Sequence, residues 1–318
     1  MKKNYILIVS LIGIFLLGVI GMNFFNKESS ESLIESEVYS DINYKDEDYI
    51  EVVETTSYDR EIEEIIKRYA QGYEDNLSLY YYNFETKDEY SYNGDEYYVA
   101  ASTTKIPLAM SVADYVYNGE YSMDTEIKYS YDDYEEGTGI LWQEDYIAPI
   151  TVDDAIYLSI VYSDNIAKNM LRRISTISTN DYISNITGNV SLINDENKYT
   201  ANQLGEVLKK LYLNEEKNPY YDNILEYMSE TVFHDRIDKY LPYYNVAHKI
   251  GTYYRYYHDI GIIYAKEEYV LVIMTKDMGE LDEGNYKDED ERLILDGGEL
   301  ASEIMASISR EIYNLIEN

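Results

Sequence analysis

A serine and a lysine one helical turn apart are the first candidates for chemistry in this sequence. Lys105 follows Ser102 by three positions, where a strand-like segment gives way to a helical pattern. Residues at this spacing share a helix face, so a proton can pass between their side chains. A lysine that is partly desolvated near another cation can take the proton of a hydroxyl and make it nucleophilic. The pair predicts a serine nucleophile, although Ser-x-x-Lys arises by chance about once in such a chain and also fits an ordinary helix start.

The second candidate is the triplet Ser163-Asp164-Asn165, which lies between two predicted helices. A loop held between packed helices can present a hydroxyl and an amide rigidly. The same three residue types are also favoured as N-caps, so the triplet alone leaves both interpretations open.

The third candidate, Lys249-Ile250-Gly251-Thr252, ends a predicted strand. Glycine at this place lets a substrate approach the backbone closely, and the lysine supplies positive charge to a cleft. Alone, the motif indicates nothing. It gains weight from its position after the other two.

In this order the three motifs resemble those of the penicillin-recognising serine enzymes, which are Ser-x-x-Lys, Ser-Asp-Asn and Lys-[Ser/Thr]-Gly. The middle motif points to class A β-lactamases, and residues 137–141 (Gly-Thr-Gly-Ile-Leu) and 246–249 (Val-Ala-His-Lys) look like class A-type relatives too. The resemblance covers the chain from Tyr58 to Asn318. It implies a β-lactamase/transpeptidase-like fold and no metal or organic cofactor.

The resemblance also implies roles for the motif residues. The implied catalytic residues are Ser102, Lys105 and Ser163, and the implied substrate-binding residues are Asn165, Lys249, Gly251 and Thr252. Ser102 would attack an amide or lactam carbonyl, Lys105 would act as base, and Ser163 would pass a proton to the leaving nitrogen. Asn165 would position Lys105 and the substrate, and Lys249 would attract the substrate carboxylate. Backbone N–H groups of Ser102 and Thr252 would form an oxyanion hole, worth about 3 kcal/mol per donor.

The sequence departs from the class A pattern in two places. Class A enzymes carry a Glu-x-x-Leu-Asn loop after the second motif, whose glutamate positions the deacylating water, but residues 191–198 lack it. Glu196 is a poor substitute, because its neighbours favour a solvated turn. Ile250 stands where the family has Ser or Thr, so a hydroxyl that would contact the substrate carboxylate is missing, and Thr252 could supply one.

We therefore expect a serine hydrolase that opens β-lactam rings through an acyl-enzyme on Ser102, with slow deacylation. Two alternatives stay open from sequence: a D-Ala-D-Ala-type peptidase or amidase acting on peptidoglycan, and a non-hydrolysing penicillin-binding or sensor domain. The expected partners are accordingly a small β-lactam or a peptidoglycan stem peptide, bound by a monomeric catalytic domain. If the motifs are relics, an interaction protein is a further alternative.

The elements that position these motifs follow from hydrophobic periodicity. Strands are predicted over residues 77–82 and 89–99, then a helical middle, then strands over 245–251, 258–265 and 269–275 before a last helix. Strands at both ends of the domain that enclose a mainly helical middle predict an α+β fold with one antiparallel sheet. Pro107 lies inside a predicted helix, where it would remove a backbone bond and could kink the axis.

Composition excludes several classes of function. The 318 residues carry a formal net charge of −35, whereas phosphate binding needs clustered Lys and Arg, so no nucleic-acid partner is expected. Cysteine is absent, which excludes a disulfide framework, a cysteine nucleophile, thiolate metal sites and a lipidated N-terminal cysteine.

Residues 1–26 are predicted to be a membrane anchor. The apolar run is long enough to cross a bilayer and ends without an Ala-x-Ala-like cleavage site, which favours an uncleaved helix over a signal peptide. Lys2 and Lys3 precede it, so the positive-inside rule places the rest outside the cytoplasm. We expect a single-pass protein of the cell membrane, or a secreted one if the segment is cleaved. Residues 27–58 are predicted to be an acidic linker and 59–318 the hydrolase domain.

Overall fold

The computed structural model describes residues 58–188, 197–279, 286–287, 293–294 and 296–318. The anchor expected over residues 1–26, and the linker over 27–58 apart from its last residue, lie outside these ranges. Among the described residues, no helix combines the length and the apolar character that a membrane crossing needs.

A five-stranded antiparallel sheet joins the two ends of the domain. The strands of the described residues are β1 Leu77–Asn83, β2 Glu89–Tyr92, β3 Tyr98–Val99, β4 Glu126–Ile127, β5 Ile150–Thr151, β6 Lys198–Tyr199, β7 Val246–Tyr253, β8 Tyr256–Ile263, β9 Tyr269–Lys276, β10 Tyr286–Lys287 and β11 Leu293–Ile294. The sheet order is β2-β1-β9-β8-β7, which leaves β7 at an edge. The predicted α+β fold with a sheet built from both ends is confirmed.

Helices cover both faces of this sheet. They are α1 Asp59–Tyr69, α2 Lys105–Tyr117, α3 Val152–Val161, α4 Asn165–Ile174, α5 Thr179–Thr187, α6 Ala201–Leu213, α7 Tyr220–Ser229 and α8 Gly297–Glu317. The isoleucine stripes of α1 and α8 pack on one face, and the helices of the middle segment form a second apolar core on the other face. Burial of such stripes holds amphipathic helices in place.

The predicted strand over residues 89–99 is wrong in its middle. It ends at Tyr92 and restarts only at Tyr98, in a short strand that pairs with β6 instead of with the sheet. The break lies at Asn93, whose φ is +48° and whose side-chain amide donates to the carbonyls of Glu74 and Leu77. Asparagine accepts the left-handed conformation more readily than most residues, so the chain turns there.

Two helices of the middle segment begin at capping residues. Thr151 and Thr200 each cap a helix through a reciprocal capping box, the first with Asp154 and the second with Gln203. The disruption expected at Pro107 does not arise, since α2 begins at Lys105 and Pro107 is its third residue. In the first helical turn a backbone N–H has no acceptor within the helix, so its absence costs little.

Candidate active site

Ser102 lies on a 3₁₀ turn, Ala101–Thr104, between β3 and α2. Ala101 has a φ of +52°, a left-handed conformation that costs a non-glycine residue about 1 kcal/mol or more. His258 fixes the chain just before the turn, because its Nε2 lies 2.9 Å from the Val99 carbonyl oxygen. The Thr275 amide donates to His258 Nδ1, so the ring proton is on Nε2. Burial lowers the pKa of His258 to about 3, and the imidazole is neutral.

Strand β7 lies directly against this turn, and Gly251 makes the approach possible. A Cβ atom at Gly251 would come within 2.6 Å of the Ala100 carbonyl oxygen and 2.9 Å of Thr103 Cγ2. Any larger residue would push the strand away from the turn that carries Ser102. The sequence-based reason for this glycine was approach of a substrate, whereas the structure gives approach of the nucleophile turn.

Lys105 is 2% exposed and points into the second motif. Its Nζ donates to the Ser163 carbonyl oxygen at 2.5 Å, to Ser163 Oγ at 3.1 Å and to Asn165 Oδ1 at 2.9 Å. Burial, reinforced by the charges of Lys249 and Lys168, holds the pKa of Lys105 well below its ordinary value. A lowered pKa favours the neutral amine, the form that can accept a proton from a hydroxyl, so Lys105 is a candidate general base.

The loop that carries Ser163 is fixed by its aspartate. Asp164 Oδ2 accepts from the amides of Ile140 and Leu141 at 2.7 and 2.8 Å, and Oδ1 caps α4 through the Ala167 amide at 2.9 Å. Gly139 has a φ of +103°, and a Cβ there would come within 2.2 Å of Asp164 Oδ2. The 137–141 segment therefore packs against the second motif.

A cationic region lies at the end of β7. Lys249 is fully buried, and burial, together with the nearby charge of Arg236, lowers its pKa to about 7 against the opposing effect of Asp259. Arg236 is 4% exposed and donates to the carbonyls of Gly251 and His258 and, at 2.6 Å, to Thr252 Oγ1. Thr252 itself is exposed, so its hydroxyl is accessible to an anionic group.

The structure brings most of the predicted residues together. Lys105, Ser163 and Asn165 are in direct contact, Gly251 lies against the Ser102 turn, and Thr252 meets a guanidinium. The Ser102 side chain is partly exposed, and the amine of Lys105 bonds to the second motif instead of to it. Ile250 is 8% exposed. Glu196 lies outside the described residues.

Two residues of the site escaped prediction from sequence. Arg236 lies in a charged stretch, residues 234–239, that matches none of the three motifs, and His258 lies in a mainly apolar strand. Both reach the site only through the pairing of β7 with β8, in which Gly251 lies opposite His258. No local spacing signals such a contact.

Comparisons with known proteins agree with this geometry. The model of a family described as the β-lactamase enzyme family matches residues 59–316. The fold is similar to that of PBP-A, with a TM-score of 0.67, 22% identity, and coverage of 80% of this chain and 95% of that one. A PBP-A mutant solved as an acyl-enzyme complex with penicillin G has a TM-score of 0.65 and 21% identity, with 80% and 96% coverage.

A class A β-lactamase from Bacteroides cellulosilyticus is similar to the same extent, with a TM-score of 0.67, 17% identity, and coverage of 83% of this chain and 99% of that one. These likenesses extend over nearly the whole length of each solved chain and show the fold. No curated protein sequence matches the chain.

Proposed function

We propose that this chain, which belongs to the β-lactamase enzyme family, opens β-lactam rings through an acyl-enzyme on Ser102 and releases the product slowly. The observation that carries the proposal is the arrangement around Lys105. A buried amine with a strongly lowered pKa lies one turn from Ser102 and in contact with Ser163 and Asn165. Such an amine can serve as the base that an acylation step needs.

In the proposed acylation, Lys105 accepts the proton of Ser102 as its oxygen attacks the lactam carbonyl. Ser163, within 3.1 Å of the Lys105 amine, then passes a proton to the leaving nitrogen as the C–N bond breaks. Backbone N–H groups of Ser102 and Thr252 would stabilise the oxyanion. Lys249, with Arg236 and Thr252, would hold the carboxylate of the substrate.

Slow release rests on the carboxylates that surround Lys105. The two that act on its charge are Asp164 and Glu135. Asp164 already accepts three backbone N–H bonds. Burial tends to raise the pKa of Glu135, but bonds from Lys168 and Asn169 outweigh it and lower that pKa. The lowered pKa makes Glu135 a weak base toward water, and the oxygens of Asp164 are already occupied by backbone N–H groups, so neither group is suited to deacylation.

A time course with a fluorescent penicillin tests the proposal, with the adduct followed by gel and mass spectrometry. We expect rapid labelling that persists, while Ser102→Ala is unlabelled and the exposed-serine control Ser91→Ala labels like the wild type. Labelling that disappears within seconds would mean fast turnover. No labelling of the folded protein would reject acylation by penicillins, and a peptidoglycan peptide would then be the substrate to test.

The deacylation step has its own measurement. With a chromogenic cephalosporin we expect a burst of about one equivalent followed by a low steady rate. Steady turnover at tens per second, in the ordinary enzyme range, would contradict slow release. Glu196→Gln and Glu135→Gln would then identify the residue that replaces the missing loop glutamate.

We also propose that residues 1–26 anchor the enzyme in the cell membrane with its hydrolase domain outside the cytoplasm. The support is the apolar run after Lys2 and Lys3. Protease added to intact cells should remove the domain, and alkaline washing should leave the protein in the membrane. Release of a shortened form into the medium would indicate cleavage instead.

A further inference from the structure

Two of the three histidines of the chain meet a buried aspartate on the face of β7 that points away from Lys249. His234 Nδ1 lies 2.5 Å from Asp238 Oδ2, and His248 Nε2 lies 3.4 Å from the same oxygen. The three ligand atoms lie within 4.8 Å of one another. Ligands of a tetrahedral metal ion, each about 2.1 Å from it, are about 3.4 Å apart. His248 Nε2 and Asp238 Oδ2 already have this spacing, and the half-exposed His234 ring would move about 1 Å away from Asp238 Oδ2 to reach it.

The cluster contains buried polar atoms that the protein does not satisfy. Asp238 is 2% exposed and His248 is 1% exposed. Asp238 Oδ1 and His248 Nε2 have no hydrogen-bond partner. A buried polar atom without a partner destabilises the folded state, so two such atoms at one place indicate a missing ligand.

The surroundings also orient His248 as a metal ligand. Both oxygens of Asp259 lie 2.9 Å from His248 Nδ1, and Asp259 is itself held by the Ile237 amide at 3.1 Å. A carboxylate on one ring nitrogen turns the other nitrogen outward and raises its basicity, which is the usual outer shell of a metal-bound histidine. Gly261, opposite His248 in the neighbouring strand, leaves room for the ring, since a Cβ there would come within 2.7 Å of His248 Cβ.

We propose that His234, Asp238 and His248 bind one divalent transition-metal ion. Two imidazoles and one carboxylate suit a borderline cation such as Zn²⁺, whereas Mg²⁺ and Ca²⁺ prefer sites made of oxygen ligands alone. The His234 side chain is 48% exposed, so the ion can enter from solvent and keep a water ligand on that side.

The ion would join the segment before β7 to β7 itself. Arg236 lies between two of the ligands in sequence and bonds to Gly251 and Thr252 across the strand. Metal binding would therefore stabilise the segment that presents this guanidinium to the cleft. The ion takes no part in the proposed chemistry at Ser102, and the proposal holds whatever the substrate is.

The test is metal titration of the full-length protein in detergent, without a histidine tag and after treatment with a chelator. Excess Mg²⁺ saturates the many surface carboxylates, and Zn²⁺ binding is then measured by calorimetry and Co²⁺ binding by visible absorption. We expect one saturable equivalent and a higher melting temperature with Zn²⁺. Absence of a saturable equivalent would overturn the proposal.

Three variants locate the ion. His234→Ala and Asp238→Asn should lose the bound equivalent and the melting shift, while Asp235→Asn, an equal charge change on an exposed neighbour, should keep both. Because His234 is half exposed and Asp238 keeps His248 beside it, the His234 variant should fold, and its melting shift is measured against the same variant without metal. Binding that is unchanged in His234→Ala would place the ion elsewhere and refute the site.

Discussion

The two faces of strand β7 differ in whether their buried cationic side chains have carboxylate partners. On the cleft face, Lys249 and the nearby Lys105 have no carboxylate within ion-pair distance among the described residues, and both have lowered pKa values. On the other face, His248 lies between Asp238 and Asp259. Although burial opposes it, in the metal-free protein these carboxylates raise the pKa of His248 to about 10.

Burial acts in the same direction on all three cations, so the difference comes from their partners. Desolvation disfavours the charged form of lysine and histidine, and only a nearby carboxylate reverses it. Side chains alternate along a strand, which sends His248 and Lys249 to opposite faces. These adjacent residues thus have pKa values shifted in opposite directions, that of His248 up to about 10 and that of Lys249 down to about 7. His248 is suited to holding the structure, and Lys249 has no ion-pair partner in the part of the chain that the structure describes and is available to a substrate.

The cleft face also contains strained backbone, and no ion pair of the described residues offsets its cost. Ala101 and Ser163 both have positive φ, and residues in such conformations cost about 1–3 kcal/mol each. The strained backbone and the lysines without carboxylate partners both destabilise the folded state. Such features are retained where they serve a reaction, which indicates that this face is the reactive one. Changes on the cleft face should therefore affect activity, and changes on the opposite face should affect stability.

The largest effect should come from Lys105→Met, which removes the amine from the cleft face and keeps a side chain of similar volume. Loss of a general base typically costs about 10²–10⁴ in rate, so acylation by penicillin should fall by that factor. Stability should stay the same or rise, since a buried amine is replaced by an apolar group. Stopped-flow labelling and thermal melts measure the two quantities. A large loss of stability would make Lys105 part of the scaffold.

The next effect belongs to the opposite face. Asp259→Asn removes one of the two carboxylates that balance His248 and should cost about 3 kcal/mol of stability at pH 7, as breaking a buried pair does. This corresponds to a fall of about 6–12 °C in melting temperature, measured with chelator present. The control is Asp277→Asn, whose partner Arg255 lies at the surface, with about 0–1 kcal/mol expected.

The sign of the pH dependence gives an independent check on that variant. The folded-state pKa of His248 is raised above its unfolded value, so its stabilisation is complete below about 6.5 and is lost as pH rises through about 10. The difference in stability between wild type and Asp259→Asn should therefore be lost as pH rises through about 10. A difference that does not depend on pH would mean that Asp259 acts mainly through the Ile237 amide.

The third prediction sharpens the contrast through the pH dependence of acylation. Acylation needs neutral Lys105 and charged Lys249, so its rate should rise as Lys105 loses its proton and fall above about pH 7 as Lys249 loses its own. The alkaline fall should approach about tenfold per pH unit for the second-order constant. Lys249→Arg keeps its charge and should remove the alkaline limb. An unchanged limb would assign it to another group.

Local sequence patterns predicted those features of the structure that depend on residues close together in the chain. The helical middle, the last helix and the three-residue spacing of Ser102 and Lys105 depend on neighbours in the chain, and these features reappear in the structure. The break after Tyr92 was signalled by the Asn93-Gly94 dipeptide, a common turn, but the tyrosine-rich run around it favoured one long strand.

Contacts across the sheet could not be predicted in the same way. Arg236, His258 and the cluster of His234, Asp238 and His248 depend on how β7 pairs with β8 and on where the segment before β7 folds. Single histidines and arginines do not form the repeating pattern from which helices and strands are predicted. Their roles follow only from the register, which decides which face of the strand each side chain occupies.

The smallest effect should come from Thr252→Ala, near the end of β7. Thr252 Oγ1 accepts from Arg236 Nη2 at 2.6 Å, so its own proton is free to donate to a substrate carboxylate and to replace the hydroxyl missing at Ile250. Losing one such bond costs about 0.5–1.5 kcal/mol, which corresponds to a weakening of penicillin binding by about 2- to 10-fold. The acylation rate at saturating penicillin should not change, because Ser102, Lys105 and Ser163 are untouched.

Thr252→Ser keeps the hydroxyl and should behave like the wild type. The concentration dependence of labelling separates binding from rate. A saturating rate lowered 100-fold would show that Thr252 acts in the chemical step, and the division between anchoring cations and reacting groups within the cleft would then be wrong.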